Sequence, residues 1–367
     1  MTNTLTDRAA TKHPEPNTPT EREGLPARIV RLILTQRIVL LGLLLVILLV
    51  VMFSLDAAGQ LSGSFDTDYL ASSLINVVPL AMLAVAEMVV IVSGRGGIDL
   101  SVGAIVSLAG MVFGLSYGEW GWPIWLAIIV AVAFGGLCGA VNGFLIAYLG
   151  FPALIATLAT FYAYKSLALV INNQAPVNTK PIQDLYSSAQ AVQLPIIGEY
   201  IPNFPLGLFT FLIPTLLVAW LLITKTTYGR RLFAIGTNDV AAKWAGMNVA
   251  STRARAYVIS GLLSGLVSVV TVAQFASARP DSGVSGNGMA LPAITIAVLG
   301  GVAITGGIGR ISGLVLASLL IVWLNAGLLL LIAGNASGRY QLLALGAVLV
   351  FAAVLNGITS RRYSGAK

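Results

Sequence analysis

Four ionisable side chains stand where the chain is otherwise apolar. Glu87 lies in "AVAEMVVIV", Lys165 lies in "ATFYAYKSLAL", and Arg95 and Asp99 sit four residues apart in "VSGRGGIDLSVG". A charge inside an apolar span costs several kcal/mol on insertion scales, roughly 2.5 to 3.5, unless it faces a partner, the bundle interior or water. Glu87 and Lys165 can pair with each other and fix helix register, or they can line a wet path. Gly94, Gly96 and Gly97 allow a turn that a Cβ would forbid. In that turn Asp99 can cap a helix beginning near Leu100 by accepting its free N–H groups, or contact a substrate. Arg95 can pair with Asp99 or face lipid phosphates.

Other chemistries are excluded within the chain. There is one cysteine, Cys138, and one histidine, His13, so neither an internal disulfide nor a Cys/His metal site can form. No G-x-x-x-x-G-K-[ST] is present, so the phosphate-cradling loop and lysine that ATP hydrolysis needs are missing. No catalytic residue and no metal ligand is expected.

Of 367 residues, 57% are hydrophobic and only 10% charged, and the mean hydropathy is +0.89. Soluble domains carry about a quarter charged residues, so this is an integral membrane protein. Apolar runs long enough to cross a bilayer as helices recur along the chain. The expected fold is all-α: about ten spans, centred near Leu45, Leu80, Val106, Ala131, Thr160, Leu216, Leu266, Ala297, Leu320 and Leu345. With both termini in the cytoplasm, fourteen Lys or Arg from Arg28 onward fall inside and three (Lys180, Arg279, Arg339) outside. That agrees with the positive-inside rule and explains the net charge of +7 without nucleic acid.

The first run, "IVLLGLLLVILLVVMFSL" from Ile38, follows Arg28, Arg31 and Arg37 and reads as a retained span. Residues 1–30, with four prolines, read as a disordered cytoplasmic tail, 31–362 as the membrane domain and 363–367 as a second short tail. Residues 172–205 suit an irregular extracytoplasmic loop. Within the spans Asn76, Asn142, Gln274 and Asn325 are weaker path candidates, since amides in membrane helices usually bond neighbouring helices. Outside, "SARPDSGVSGNGMALPAIT" from Ser277 brings Arg279 near Asp281, as a gate, a docking point or an ordinary solvated turn.

The cytoplasmic segment 225–255 holds six basic residues and one acid, Asp239. In its "TNDVAAKWA", Thr237 or Asn238 can cap a short helix whose positive end suits Asp239. Val240 and Trp244 are one turn apart with Ala241 and Ala245 beside them, an apolar face that either docks a partner or packs back on the spans. One faint echo joins "GGIDLSVG" at Gly96 to "GGIGRISG" at Gly306.

"AAKWAG" at Ala241 resembles the alanine-alanine-three-residues-glycine motif of ABC-transporter permeases, with Val240 where many members have Glu. "IDLSVG" at Ile98 and "AVLGGVAITGGIGRISG" at Ala297 resemble signatures of the ribose/xylose/galactose type of importer permease. The Ser-Ala-Arg-x-Asp and Pro-Ala-Ile-Thr pieces look most like permeases for rhamnose or the sugar-derived autoinducer. The likeness spans about residues 31–360. It implies a permease subunit of an ATP-driven sugar importer in the bacterial inner membrane, paired with itself or a paralogue. A periplasmic or lipid-anchored binding protein would deliver the sugar, and separate ATPase subunits would bind ATP and Mg. In the family the matching cytoplasmic helix docks into the ATPase, a role carried here by Val240, Ala241, Ala242, Trp244 and Gly246. Members often have Arg where Lys165 stands, and commonly lack Arg95. An ion-coupled secondary transporter is the competing class, and Glu87 and Asp99 are the only acids it could use.

Overall fold

The computed structural model describes residues 36–189, 191–192, 203–285, 288–332, 334 and 336–363. The tail expected at 1–30 lies outside them, as do residues 364–367. Within them nine helices are long and apolar enough to cross a membrane. Beyond these and several shorter helices, the regular structure of the described chain is one two-residue strand pair, β1 (Ala191–Val192) with β2 (Phe204–Pro205), and an isolated bridge.

Helix α1 (Arg37–Ala57) and the outermost face of the bundle point mostly away from protein, as a lipid-facing helix must. A short α2 (Thr67–Ser73) is capped by Asp66, which accepts from the Tyr69 N–H at 2.8 Å, and runs through a 3-10 turn into α3 (Val77–Val92). Almost every α3 side chain is buried. Its sequence is apolar all round, which suits a helix surrounded by others.

Next come α4 (Val102–Phe113), continued by a π-helical turn to Glu119, then α5 (Ile124–Ala147), α6 (Ala153–Val170) and α7 (Lys180–Ala189). The segment expected to be irregular, 172–205, thus contains a helix. Ile182 of α7 is fully buried and the Thr179 hydroxyl donates to the Gly118 carbonyl at 3.1 Å, so this helix lies on the end of the α4 span.

α8 (Ile213–Lys225) returns the chain to the other side, where α9 (Thr227–Thr237) and α10 (Asp239–Trp244) precede the long α11 (Val249–Phe275). α11 packs most extensively on α5. Small residues permit it: a Cβ on Gly135 would meet the Gly261 carbonyl oxygen at 2.4 Å, and one on Gly139 the Tyr257 oxygen at 2.2 Å. Bare backbones approach here as they do in small-residue membrane crossings.

The expected span near Ala297 is realised differently. α12 (Ala290–Leu299) has ten residues, half of what a full crossing needs. The described chain before it is non-helical, from Ala276, which caps α11 in the left-handed region (φ 52°), through Gly283 to Ser285 and again at Gly288 and Met289. Gly283 lies against Gly103 at the start of α4 and donates its N–H to the Ser107 hydroxyl at 2.9 Å. Hydropathy registered the apolar residues of this stretch but not the glycines and prolines that interrupt the helix. α13 (Ile311–Leu331) and α14 (Ala336–Tyr363) complete the bundle.

On the cytoplasmic side three backbone segments touch without intervening side chains. A Cβ on Gly236 would fall 1.9 Å from the Val92 oxygen and 2.5 Å from the Gly307 nitrogen, and one on Gly306 would fall 2.5 Å from the Gly94 Cα. The Gly307 N–H donates to the Val92 carbonyl at 3.0 Å. The two turns of the faint sequence echo therefore meet in space, with the end of α9 between them.

Candidate functional site

A cavity of about 180 Å³ lies where the broken α2–α3 span, the end of α11 and the start of α12 converge with α13 and α14. That is more than ten times the roughly 10 to 15 Å³ one water needs, and its amide groups offer water the polar partners it requires. Asn76, Gln274 and Asn325 all line it, three of the four amides proposed from sequence, and Gln341 joins them. Leu80, Phe275, Met289 and Pro292 supply apolar walls. The Gln274 amide donates to the Ile75 carbonyl at 2.7 Å, and the Gln341 amide to the Asn325 carbonyl at 3.1 Å, so both side chains are oriented. Among the described residues no charged side chain lines it. Amide groups with apolar walls bind neutral polar molecules through paired donors and acceptors and offer nothing to neutralise an ion.

Asn142 is elsewhere, in a buried polar cluster built around Asp99. One Asp99 oxygen, Oδ1, accepts from the Ser101 N–H at 3.1 Å, the Ser101 hydroxyl at 2.6 Å and the Asn142 amide at 3.4 Å. The other, Oδ2, accepts from the Ser260 hydroxyl at 2.9 Å. The Asn142 amide also donates to Ser101, and Thr160 donates to the Asn142 oxygen at 2.7 Å. Asp99 thus closes the turn before α4, which begins at Val102, and ties that turn to α5 and α11. Glu87 joins the same cluster: its Oε2 accepts from the Asp99 N–H at 3.3 Å, while its Oε1 and the Tyr257 hydroxyl, both fully buried, have no hydrogen-bond partner.

Glu87 and Lys165 are therefore not a pair. Lys165 sits partly exposed on α6, its ammonium 5.8 Å from the Phe161 ring centroid. Nor do Arg95 and Asp99 pair, because the Asp99 oxygens are taken up by hydroxyl and amide donors inside the bundle. Arg279 and Asp281 form no ion pair among the described residues; the Arg279 guanidinium lies over the Phe275 ring, 4.1 Å from its centroid. A ring face is an alternative partner for a planar cation.

At the cytoplasmic end, Asn238 caps α10 by accepting from the Ala241 N–H at 2.9 Å, and Gly246 (φ +79°) ends the turn beyond it. The apolar face points outward: Trp244 is 88% exposed and Val240 59%, while Ala242 on the opposite side is buried. Ala241 and Gly246 are also exposed. Among the described residues this face does not pack back onto the spans. What holds the helix is Asp239. Its carboxylate pairs with Arg95 at 2.5 Å and Arg253 at 3.6 Å, and Arg253 also donates to the Ser93 carbonyl at 3.1 Å. Arg95 adopts a left-handed backbone (φ 56°), which costs a non-glycine residue about 1 to 2 kcal/mol. Gly96 beside it, also at positive φ, has open space around its Cβ position, and Gly97 packs its α-carbon against the Val90 carbonyl.

Residue-by-residue reading missed Ser101, Thr160, Tyr257, Ser260, Arg253 and Gln341. Ser260, Ser264 and Ser268 recur every four residues in α11, a polar stripe that marks an interior face. Gln341 is one more lone amide in an apolar run and was open to the rule that selected Asn325.

Residues 69–353 match the family described as branched-chain amino acid transport system / permease component. Among similar proteins is the autoinducer 2 import system permease protein LsrD of Klebsiella pneumoniae, 36% identical over 264 residues, 72% of this chain and 76% of that one. The protein of the same name from Yersinia enterocolitica is 32% identical over 302 residues (82% and 87%), and that of Yersinia pseudotuberculosis is 31% identical over 319 (87% and 91%). No solved structure matches. The family's description and its members' names differ in cargo, so membership fixes the type of subunit and its place, the bacterial inner membrane, ahead of what it carries. With nine long apolar helices among the described residues, an interior amide cavity and a match across most of its length, the chain belongs to this family of transport-system permease components.

Proposed function

We propose that the chain is the membrane-spanning subunit of an ATP-driven importer, forming with a second permease copy or paralogue the path for a neutral sugar or sugar-derived molecule. The observation that carries the reading is the outward apolar face of α10, a capped helix held rigidly at the cytoplasmic surface with Trp244 almost fully in solvent. An indole so exposed needs a cover, and a separate ATPase subunit, which would bind ATP and Mg, is the partner that the family resemblance supplies. Val240, Ala241, Trp244 and Gly246 form that contact surface, and Ala242 anchors the helix from behind. Val in place of the Glu common at position 240 makes the contact apolar.

On the other side, a binding protein delivers cargo to the outer ends of α2, α7 and the Ser277–Met289 segment. Asn76, Gln274, Asn325 and Gln341 then offer hydroxyl-binding amides on the way through. The relatives' names, autoinducer 2 import permeases, support a cargo of sugar origin. Alternating access, with docking outside and ATPase closure inside biasing one bundle between two states, is the mechanism that fits.

Two measurements test this. In detergent, the ATPase subunit should co-purify with wild type and be lost on Trp244→Asp, which places a charge in the contact face and leaves the spans alone. In cells, uptake should stop when ATP is depleted and survive an uncoupler. The reverse pattern would establish the ion-coupled carrier, for which the buried Glu87 and Asp99 are the available acids.

A further inference from the structure

We propose that Asp239 is a positioning residue for transport: through Arg95 and Arg253 it locks the docking helix to the membrane turns, so that the helix cannot move without moving them. This rests on reading α10 as the ATPase contact. Asp239 opens α10, yet its carboxylate does not cap the helix, a task Asn238 performs; it reaches sideways to two arginines from separate elements. Arg95 belongs to the turn that leads into α4. Arg253 is buried in the first turns of α11 and holds the Ser93 carbonyl at the end of α3 as well. One carboxylate therefore joins α3, α10, α11 and the Gly94–Gly97 turn.

From there two rigid routes lead inward. α11 carries Ser260 to the Asp99 carboxylate, seven residues above Arg253 on the helix, and so to the first residues of α4. The Gly94, Gly236, Gly306 and Gly307 backbones touch directly, which passes motion to the turn that follows α12. The α4 span and the half-length α12 are thereby both tied to the docking helix. The left-handed backbone of Arg95 has the same sense: in a turn rich in glycine, an arginine is kept at the position from which it reaches Asp239.

The test uses the full complex of permease and ATPase in lipid, with spin labels on Ser285→Cys and Tyr186→Cys in a Cys138→Ser background, compared without nucleotide and with ATP plus vanadate. Both label sites are exposed and lie on the side opposite α10. Wild type should show a nucleotide-dependent change in label distance. Asp239→Asn should keep its ATPase in pull-down yet lose that change, and Asp239→Glu should recover it. Asp239→Asn with a wild-type change overturns the proposal, as does loss of ATPase binding by that variant, which would make Asp239 a residue that merely shapes the helix. A wild-type complex with bound ATPase and no distance change also overturns it. If wild type binds no ATPase at all, it is the importer reading that has failed, and the pull-down shows this before any distance is measured.

Discussion

The Gly283 N–H donates to the Ser107 hydroxyl at 2.9 Å, and Gly103 lies so close beside them that a Cβ would sit 2.3 Å from the Gly283 oxygen. This contact seats the non-helical half of a membrane crossing against the start of α4. Gly103→Val should therefore destabilise the purified protein by at least about 1 to 3 kcal/mol, the usual range for overpacking, since a backbone cannot swing aside as a side chain can. Ser107→Ala should be milder, about 1 to 3 kcal/mol for a buried N–H left without its acceptor. Thermal unfolding in detergent orders the two; equal, negligible effects would mean the segment is not seated there.

The α5–α11 crossing gives a paired comparison. Gly139→Leu places a side chain where the Tyr257 oxygen stands 2.2 Å away, whereas Gly346 in α14 has nothing within 4 Å of its Cβ position. The first substitution should abolish monodisperse protein on size-exclusion chromatography and Gly346→Leu should leave it intact. If both are tolerated, the helices do not cross at Gly139.

Asp99 gathers donors from three elements. Asp99→Ala strands the Ser101, Asn142 and Ser260 donors in the bundle, with an expected loss of about 1 to 3 kcal/mol for each that finds no water. Glu87→Gln keeps an acceptor for the Asp99 N–H and removes a buried carboxylate whose second oxygen has no partner, so it should be neutral or stabilising. A Glu87→Gln protein that unfolds as readily as Asp99→Ala would show that the charge at 87 is needed.

In the cavity, Asn325→Leu and Gln274→Leu remove one polar contact each from the path. A lost neutral hydrogen bond is worth about 0.5 to 1.5 kcal/mol, so transport affinity should fall by up to about ten-fold. ATPase co-purification should not change, which separates path from docking surface. A parallel loss of both would place these residues in the fold rather than in the path.

Much of this was legible beforehand, and the failures share a cause. Apolar length located nine helices, and lone amides in apolar runs located three of the four cavity side chains. Sequence also offered Asn238 as the cap of α10 and assembled its apolar face, because both are decided within one turn. Pairings across elements were not legible: charge alone allowed Glu87 to pair with Lys165 or line a path, and Arg95 to pair with Asp99 or face lipid, whereas each partner is set by how helices cross. The glycines that govern those crossings, Gly135, Gly139, Gly261 and Gly265, were visible at four-residue spacing. The bareness of a helix face says that something approaches, and leaves open what does.

The ten-residue α12 has a bearing on how the protein is made. A stretch this short cannot be delivered into a bilayer on its own hydrophobicity, and the described non-helical backbone before it, whose Ala278 and Gly283 N–H groups bond other segments, would lose those partners against lipid. Its place exists only once α3, α13 and α14 have assembled around it. Only α3 precedes it in the chain, and α13 and α14 are synthesised afterwards. The eighth crossing must therefore wait, held near the membrane surface, and be drawn in late during biosynthesis, after the ribosome has passed Tyr363.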